Sequence, residues 1–346
     1  MDIRNPTLAE KETWNAFIAK SDSGHIVQSW QWGEFKESFG NPVTRIAIFS
    51  QGKIVAAASY TLHKIPFLNK YVGYLPKGPV FKDNEELYLP ELLKSLKAQA
   101  KEQSCIFIKI EPNISADIAF IDEIFRKTGL LKSEKTIFAP HSLYLDLTKS
   151  DDELLSKMHP KWRYNIRVSE RHKVKVQEKK DNASVERFIK LQRETAKRDG
   201  FYIHPDNYYR GLWKKLHPDG LIYLLEASAQ GRPLAYWLLF KFGTTLYYPY
   251  GASSPELRNT MPSHALMWAA IKFGQKIGCT RFDLWGAAAP DAKENDSWSG
   301  FTRFKEGFGA QRISYLGAYD LVIDSVSYRL FNTADKLRWA ILRTFR

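Results

Sequence analysis

The chain repeats itself, and the repeat limits what it can fold into. Gln51-Gly52-Lys53-Ile54-Val55-Ala56 opens an apolar run, and Gln230-Gly231-Arg232-Pro233-Leu234-Ala235 opens another 179 residues later. Each reads as a tight turn feeding a central strand. Aromatic-rich strands follow at 71–81 and 246–253, and then a helix at about 84–103 and at about 262–277. Each helix runs into a strand that begins at a cysteine, Cys105 and Cys279, an offset of 174. One such match would be chance; four in the same order argue for duplication. A chain of 346 residues has room for both copies, each with its own core.

The repeated order of turn, paired strands, helix and strand is the core of an acyltransferase fold of the GNAT type. The expected class is therefore α/β (α+β): tandem duplicated GNAT-like domains with mixed, mostly antiparallel sheets. The first domain is expected over 1–148, completed by 316–346, and the second over 149–315. A single last strand over 312–324 and the tail helix return to the first domain.

Composition narrows the partners. No run approaches the length of a membrane span, and the start lacks the basic-then-apolar layout of a secretion signal. Cys105 and Cys279 make neither a disulfide framework nor a metal site, so a reducing cytoplasm is the expected home. The net charge of +13 is concentrated. Residues 156–180 hold nine Lys/Arg against two Glu, while the tail 325–346 adds five against Asp335. Such clustering is either a solvated face or a seat for a polyanion. Arg163, Arg167 and Arg171 recur every four residues, so one helix face would carry all three, with Lys161 beside them and Trp162 or Tyr164 able to stack on an unpaired end.

A GNAT domain that uses coenzyme A needs a glycine-rich turn at a helix N-terminus, where backbone N–H groups grip the pyrophosphate. In the second half that place reads Arg258-Asn259-Thr260-Met261-Pro262-Ser263, and Pro262 lacks an N–H. In the first half it reads Lys82-Asp83-Asn84-Glu85, whose acids repel phosphate. Neither half suits coenzyme A. No cofactor and no metal is expected, and another activated acyl donor is implied.

From Phe282 to Gly309 a buried strand ends in Trp-Gly, a polar loop follows, and Phe301, Phe304 and Phe308 then recur on one side of a helical turn. Phe301 and Phe308 are expected in the core. Lys305 falls at the edge of that stripe. It is either a snorkelling surface lysine or an ammonium aimed into a cleft.

The order strand, Trp-Gly, polar loop, F-x-x-F-K-x-G-F-G resembles the FemABX family of peptidoglycan interpeptide-bridge aminoacyltransferases, and the resemblance runs from Gln28 to about Asp324. It implies a non-ribosomal transfer of an amino acid from aminoacyl-tRNA to an amine of the peptidoglycan precursor's stem peptide. Catalytic roles are then implied for Lys305 and Phe304. Glu111, before Pro112, is a candidate to orient or deprotonate the amine, or else a salt-bridged structural acid. Trp32 and Lys36 match the W-x-x-x-K element that helps hold the precursor's diphosphate. Pro76-Lys77-Gly78-Pro79 matches a scaffold turn. His204, Tyr208 and Tyr250 match positions near the bound precursor, although some members carry arginine where His204 stands. Lys161, Arg163, Arg167 and Arg171 lie in a characteristic junction stretch that would meet tRNA.

The helical-hairpin arm of long members has no room between Leu216 and Leu221, so this is the short form. The expected partners are aminoacyl-tRNA and a lipid-linked or UDP-linked muramyl peptide, with the protein a monomer. The tail, with Leu330, Phe331, Leu337, Ile341 and Phe345 among basic residues, either rests on the inner face of a membrane or caps the first domain. Two alternatives remain: a Fem-like acetyltransferase acting on a cell-surface polysaccharide precursor, and a noncatalytic RNA-binding protein.

Overall fold

The computed structural model describes residues 1–82, 85–293 and 295–344. It divides into two compact units, Met1–Phe138 with Tyr315–Arg346, and Ala139–Ser314. The first runs β1 (Asp2–Arg4), α1 (Lys11–Lys20), α2 (Trp30–Glu37), β2 (Val43–Ser50), β3 (Lys53–Lys64), β4 (Tyr71–Pro76), β5 (Val80–Phe81), α3 (Glu85–Glu102), β6 (Cys105–Glu111), α4 (Ala119–Lys127) and β7 (Leu131–Ser133). The second runs β8 (His141–Asp146), α5 (Asp151–Lys157), α6 (Pro160–Arg171), β9 (Lys175–Lys179), α7 (Asn182–Asp199), α8 (Asp206–Leu216), β10 (Ile222–Ala229), β11 (Arg232–Phe242), β12 (Thr245–Ser253), α9 (Pro262–Lys276), β13 (Arg281–Gly286), α10 (Ser299–Glu306) and β14 (Gln311–Ser314). The chain then re-enters the first unit as β15 (Ala318–Val322) and α11 (Ser325–Thr344).

The duplication is visible in the ladders. Ser50 pairs with Lys53 and Ala229 with Arg232, so each hairpin turns on two residues. Those residues, Gln51-Gly52 and Gln230-Gly231, all have positive φ, between 50° and 74°, the twist that matches two antiparallel strands. Beyond each hairpin an antiparallel partner follows, and then a parallel step across a helix: β4 beside β6 over α3, and β12 beside β13 over α9. Among the described residues the first sheet has the order β1-β2-β3-β4-β6-β15-β7, with β5 on β3, and the second β14-β8-β13-β12-β11-β10-β9. Each sheet carries its own apolar core. The chain is thus an α/β protein with two GNAT-like sheets, mixed and mostly antiparallel.

Three expectations change. The strand over 312–324 is two strands, because Gly317 takes φ +83° and breaks it; β14 pairs with β8 in the second sheet and β15 with β6 and β7 in the first. The segment 139–148, placed by sequence in the first domain, supplies β8 to the second sheet, between β13 and β14. Cys279 is buried ahead of β13, which begins at Arg281. Between α8 and β10 there is only a turn, closed by the Leu221 N–H on the Leu216 carbonyl. No arm interrupts it.

Candidate active site

In the second unit the β13 strand ends in a kink that builds a polar pocket. Trp285 has φ +66°, sparsely populated for a bulky residue. It is held there by Asp283, whose Oδ1 accepts from the Trp285 N–H at 2.7 Å and from Ser142 Oγ at 2.6 Å. The kink places the Leu284 and Gly286 carbonyls around one amine. Lys305 Nζ, on α10, donates to Leu284 O at 2.5 Å and to Gly286 O at 2.7 Å. The Phe301 ring centroid lies 3.5 Å from the same nitrogen and that of Tyr248 5.8 Å away.

Lys305 is fully buried. It is not a snorkelling surface lysine. Burial drives its pKa well below the ordinary lysine value, with the Asp283 charge opposing that shift. Phe301, expected in the core, is 41% exposed and covers Nζ from the solvent side. Phe308 is fully buried, as its spacing predicts. A Cβ at Gly286 would fall 2.2 Å from the Trp298 ring, so a side chain there would require the indole to move.

A clasp joins α10 to the basic helix. Trp162 Nε1 donates to Phe304 O at 2.9 Å, and the His159 N–H donates to Gly307 O at 2.9 Å. The Trp162 indole lies so close over Gly307 that a Cβ there would be 2.3 Å from its ring. The Phe304 ring packs on His264 and Phe308, both at 5.3 Å. Trp162 is therefore committed to packing, which leaves Tyr164, 55% exposed beneath the Arg171 guanidinium, as the available stacking surface.

All three arginines lie on α6, but they do different things. Arg163 donates to Leu155 O at 3.1 Å and Met158 O at 2.5 Å, closing the last turn of α5. Lys161, Arg167 and Arg171 are exposed. Arg163 thus differs from the other two: one of its guanidinium nitrogens is bonded to helix carbonyls, whereas Arg167 and Arg171 are exposed.

His264 links the two helices. Its Nε2 lies 3.0 Å from Asn165 Nδ2, which makes it an acceptor and the ring neutral. Burial, with the Lys161 charge, lowers its pKa to about 4. Because the folded value lies below the ordinary 6.5, the stability it supplies is complete above pH 6.5 and lost as pH falls through about 4. His264→Gln should therefore flatten the dependence of stability on pH between about 4 and 6.5; urea melts across that range check this.

His204, Tyr208 and Tyr250 do come together. The exposed His204 stacks on Tyr208 with centroids 3.8 Å apart, and Tyr250 Oη donates to Tyr208 Oη at 3.3 Å. Burial pushes the Tyr208 phenol up to about 12 and that of Tyr250 well above 10. The group is an aromatic face with two phenols and an imidazole, suited to hydrogen-bonding a polar ligand.

In the first unit Lys36 Nζ lies 5.3 Å from the Trp32 ring and 5.4 Å from Phe35. Burial lowers its pKa. Glu111, at the end of β6, is buried and accepts from Tyr74 Oη at 2.5 Å, Ile137 N–H at 2.5 Å and Phe138 N–H at 3.0 Å. Three donors on one carboxylate describe a group that holds strand to loop, not the salt-bridged acid weighed from sequence. Burial and the Glu111 charge in turn raise the Tyr74 pKa. Gln28, fully buried, bridges β3 and β4 through Ser59 and Pro76. Asp283, Ser142, Tyr248 and Gln28 were missed from sequence. Asp283 alone left a signal, as an acid inside an otherwise apolar strand.

The helix N-terminus that would hold a coenzyme pyrophosphate in the second unit carries no glycine-rich turn. Met261 caps α9 with φ +57°, Pro262 occupies the first position, and the His264 and Ala265 N–H groups both donate to the Met261 carbonyl. The corresponding first-half residues Asp83 and Asn84 lie outside the described residues. Calorimetry with acetyl-coenzyme A should show no micromolar binding; a Kd of that order would mean that this helix opens.

Residues 9–136 match the sequence model of the FemAB family, and residues 156–295 that of an acetyltransferase (GNAT) domain. A lipid II:glycine glycyltransferase of Staphylococcus aureus (strain MRSA252) is 25% identical over 91% of this chain and 92% of its own length. Its counterpart in Staphylococcus saprophyticus subsp. saprophyticus is 24% identical over 96% of both. The crystal structure of FemX superposes with a TM-score of 0.88 at 22% identity, covering 95% of this chain and 99% of that one. A tandem GNAT protein from the clavulanic acid biosynthesis pathway, solved without AcCoA, shares the fold at a TM-score of 0.54 and 11% identity, over 92% of this chain and 98% of its own.

Proposed function

This chain is a member of the FemABX family of acyltransferases, and from that premise we propose that it moves an amino acid from aminoacyl-tRNA onto an amine of the peptidoglycan precursor's stem peptide. The observation that supports this choice of donor is the N-terminus of α9, where Pro262 supplies no N–H and the His264 and Ala265 N–H groups donate to the Met261 carbonyl. The relatives' substrate, lipid II, supplies the acceptor class.

The step is aminolysis of an ester. The amine nitrogen attacks the ester carbonyl carbon, a C–N bond forms, the bond to the ribose oxygen breaks, and the amine's proton ends on that oxygen. The donor is already activated, so the protein's work is alignment and stabilisation of the oxyanion. Lys305 serves as the oxyanion partner. Leu284 O and Gly286 O fix its nitrogen beneath the Phe301 ring, which must swing aside to expose it. Glu111 acts as a positioning group rather than as the base, since its carboxylate already accepts from three donors that fix it to strand and loop. Trp32 and Lys36 in the first unit, and His204, Tyr208 and Tyr250 in the second, bind the precursor. Lys161, Arg167 and Arg171 meet tRNA phosphates.

Incubation with a mixed aminoacyl-tRNA pool and a UDP-linked or lipid-linked muramyl pentapeptide, followed by mass analysis, tests the proposal. The expected product is heavier by one amino-acid residue. A product gained only with acetyl-coenzyme A would sink it. Arg167→Gln with Arg171→Gln should weaken every tRNA alike and reduce the log–log salt slope by roughly 1.5–2. An unchanged slope in filter binding would leave these arginines a solvated face.

A further inference from the structure

The first unit exposes an apolar surface that its own core does not use. At the turn between β3 and β4, Phe67 is fully exposed and Leu68 is 53% exposed. Helix α11 adds a second part. One face is seated on the sheet, with Tyr328 and Phe331 against Phe107 at 5.1 and 5.5 Å. The opposite face repeats Val326, Leu330, Ala334 and Leu337 at spacings of four, four and three, a single helical stripe. Val326, Leu330 and Leu337 are 61%, 67% and 60% exposed. The two parts are tied together: Lys70, at the base of the turn, donates to Asp324, just ahead of α11, at 2.7 Å and to Ser327 in its first turn at 2.5 Å.

Cations border both parts and acids are few. Lys64 flanks the turn, while Arg329 and Lys336 lie along one side of the stripe and Arg338 along the other. Asp324 and Asp335 are both paired with lysines, Lys70 and Lys135. An apolar stripe between rows of cations matches an anionic bilayer surface, with apolar tips entering the acyl region and cations at the headgroups. No helix among the described residues is long and apolar enough to cross a membrane. The side chains of Ile341 and Phe345 lie outside the described residues.

We propose that the β3–β4 turn and the outer face of α11 form one docking surface for an anionic lipid bilayer. The proposal does not rest on the transfer chemistry, and its test contains neither tRNA nor precursor. Sedimentation with vesicles of phosphatidylcholine containing about one-third phosphatidylglycerol is compared with vesicles of phosphatidylcholine alone. The protein should sediment with the anionic vesicles and be released by salt. Phe67→Ser with Leu68→Ser, and separately Leu330→Glu with Leu337→Glu, should each weaken binding at least about tenfold. The turn variant lies wholly at the surface, so its melting temperature should stay put.

Wild-type protein that ignores anionic vesicles overturns the proposal, as does binding unchanged in both variants. A wild-type dimer in sedimentation velocity that both variants dissolve also overturns it, assigning the surface to a second copy of the chain.

Discussion

Lys305→Met should cost about 2–5 kcal/mol of stability at neutral pH, and about 10²-fold in transfer rate in whatever remains folded. From sequence, methionine would keep the stem's packing and remove only a charge. The structure adds a second consequence. Leu284 O and Gly286 O have turned inward towards Nζ, and methionine leaves both carbonyls buried without a donor. Each such orphan costs roughly 1–3 kcal/mol. The dependence on pH separates this from ordinary loss of packing. Burial holds the Lys305 pKa below its unfolded value of about 10.4, so the wild type gains stability as pH rises towards that value. The variant lacks this gain, so its deficit should be larger at about pH 9 than at about pH 6 in denaturant titrations. A deficit that is flat or inverted would mean that the amine is not a buried titrating group. Rate and stability are read separately by assaying well below the variant's melting temperature. A folded variant with wild-type rate would remove Lys305 from the chemistry. Lys305→Arg should rescue neither property, because a planar fork does not fit between two carbonyls and a ring.

Gly307→Ala should cost about 3 kcal/mol, with a larger fall in tRNA-dependent activity than in acceptor binding. The added methyl would meet the Trp162 indole at 2.3 Å, and the indole is fixed by its hydrogen bond to Phe304 O. Either Trp162 leaves or α10 shifts. Both break the clasp between the helix bearing Arg167 and Arg171 and the helix bearing Lys305. Trp162→Phe in the same background gives the control: a smaller ring without the N–H should recover part of the lost stability. Gly307→Ala melting like wild type would show that the two helices slide freely.

The hairpins were legible because Gln-Gly twice stood between strands, and a glycine that must take positive φ leaves a mark in sequence. The parallel step across a helix was legible for the same reason of repetition. The break at Gly317 was hidden, since the apolar residues on either side read as one strand while serving two sheets. At the site, the spacing of Phe301, Phe304 and Phe308 correctly put Lys305 at the edge of a stripe. Its burial was not readable, because it depends on Trp285 turning to positive φ and on Asp283 holding it there, which no periodicity records. Phe301 illustrates the limit of a stripe: the spacing says which residues share a face, not where the face ends and solvent begins. Arg163 shows the same for charge, being matched to its row by spacing but drawn by geometry to the end of α5.

The insertion of β15 between β6 and β7 has a consequence for synthesis on the ribosome. The second unit is continuous, so all its strands have been synthesised once Ser314 is made. The first unit begins earlier but ends later. When β7 is complete, the edge of β6 has no neighbour, and the strand that belongs there follows only after the entire second unit. At roughly 5–20 residues per second the gap is roughly ten to forty seconds. The half translated first is thus the half that closes last, and its open β6 edge is where a holding chaperone would be needed.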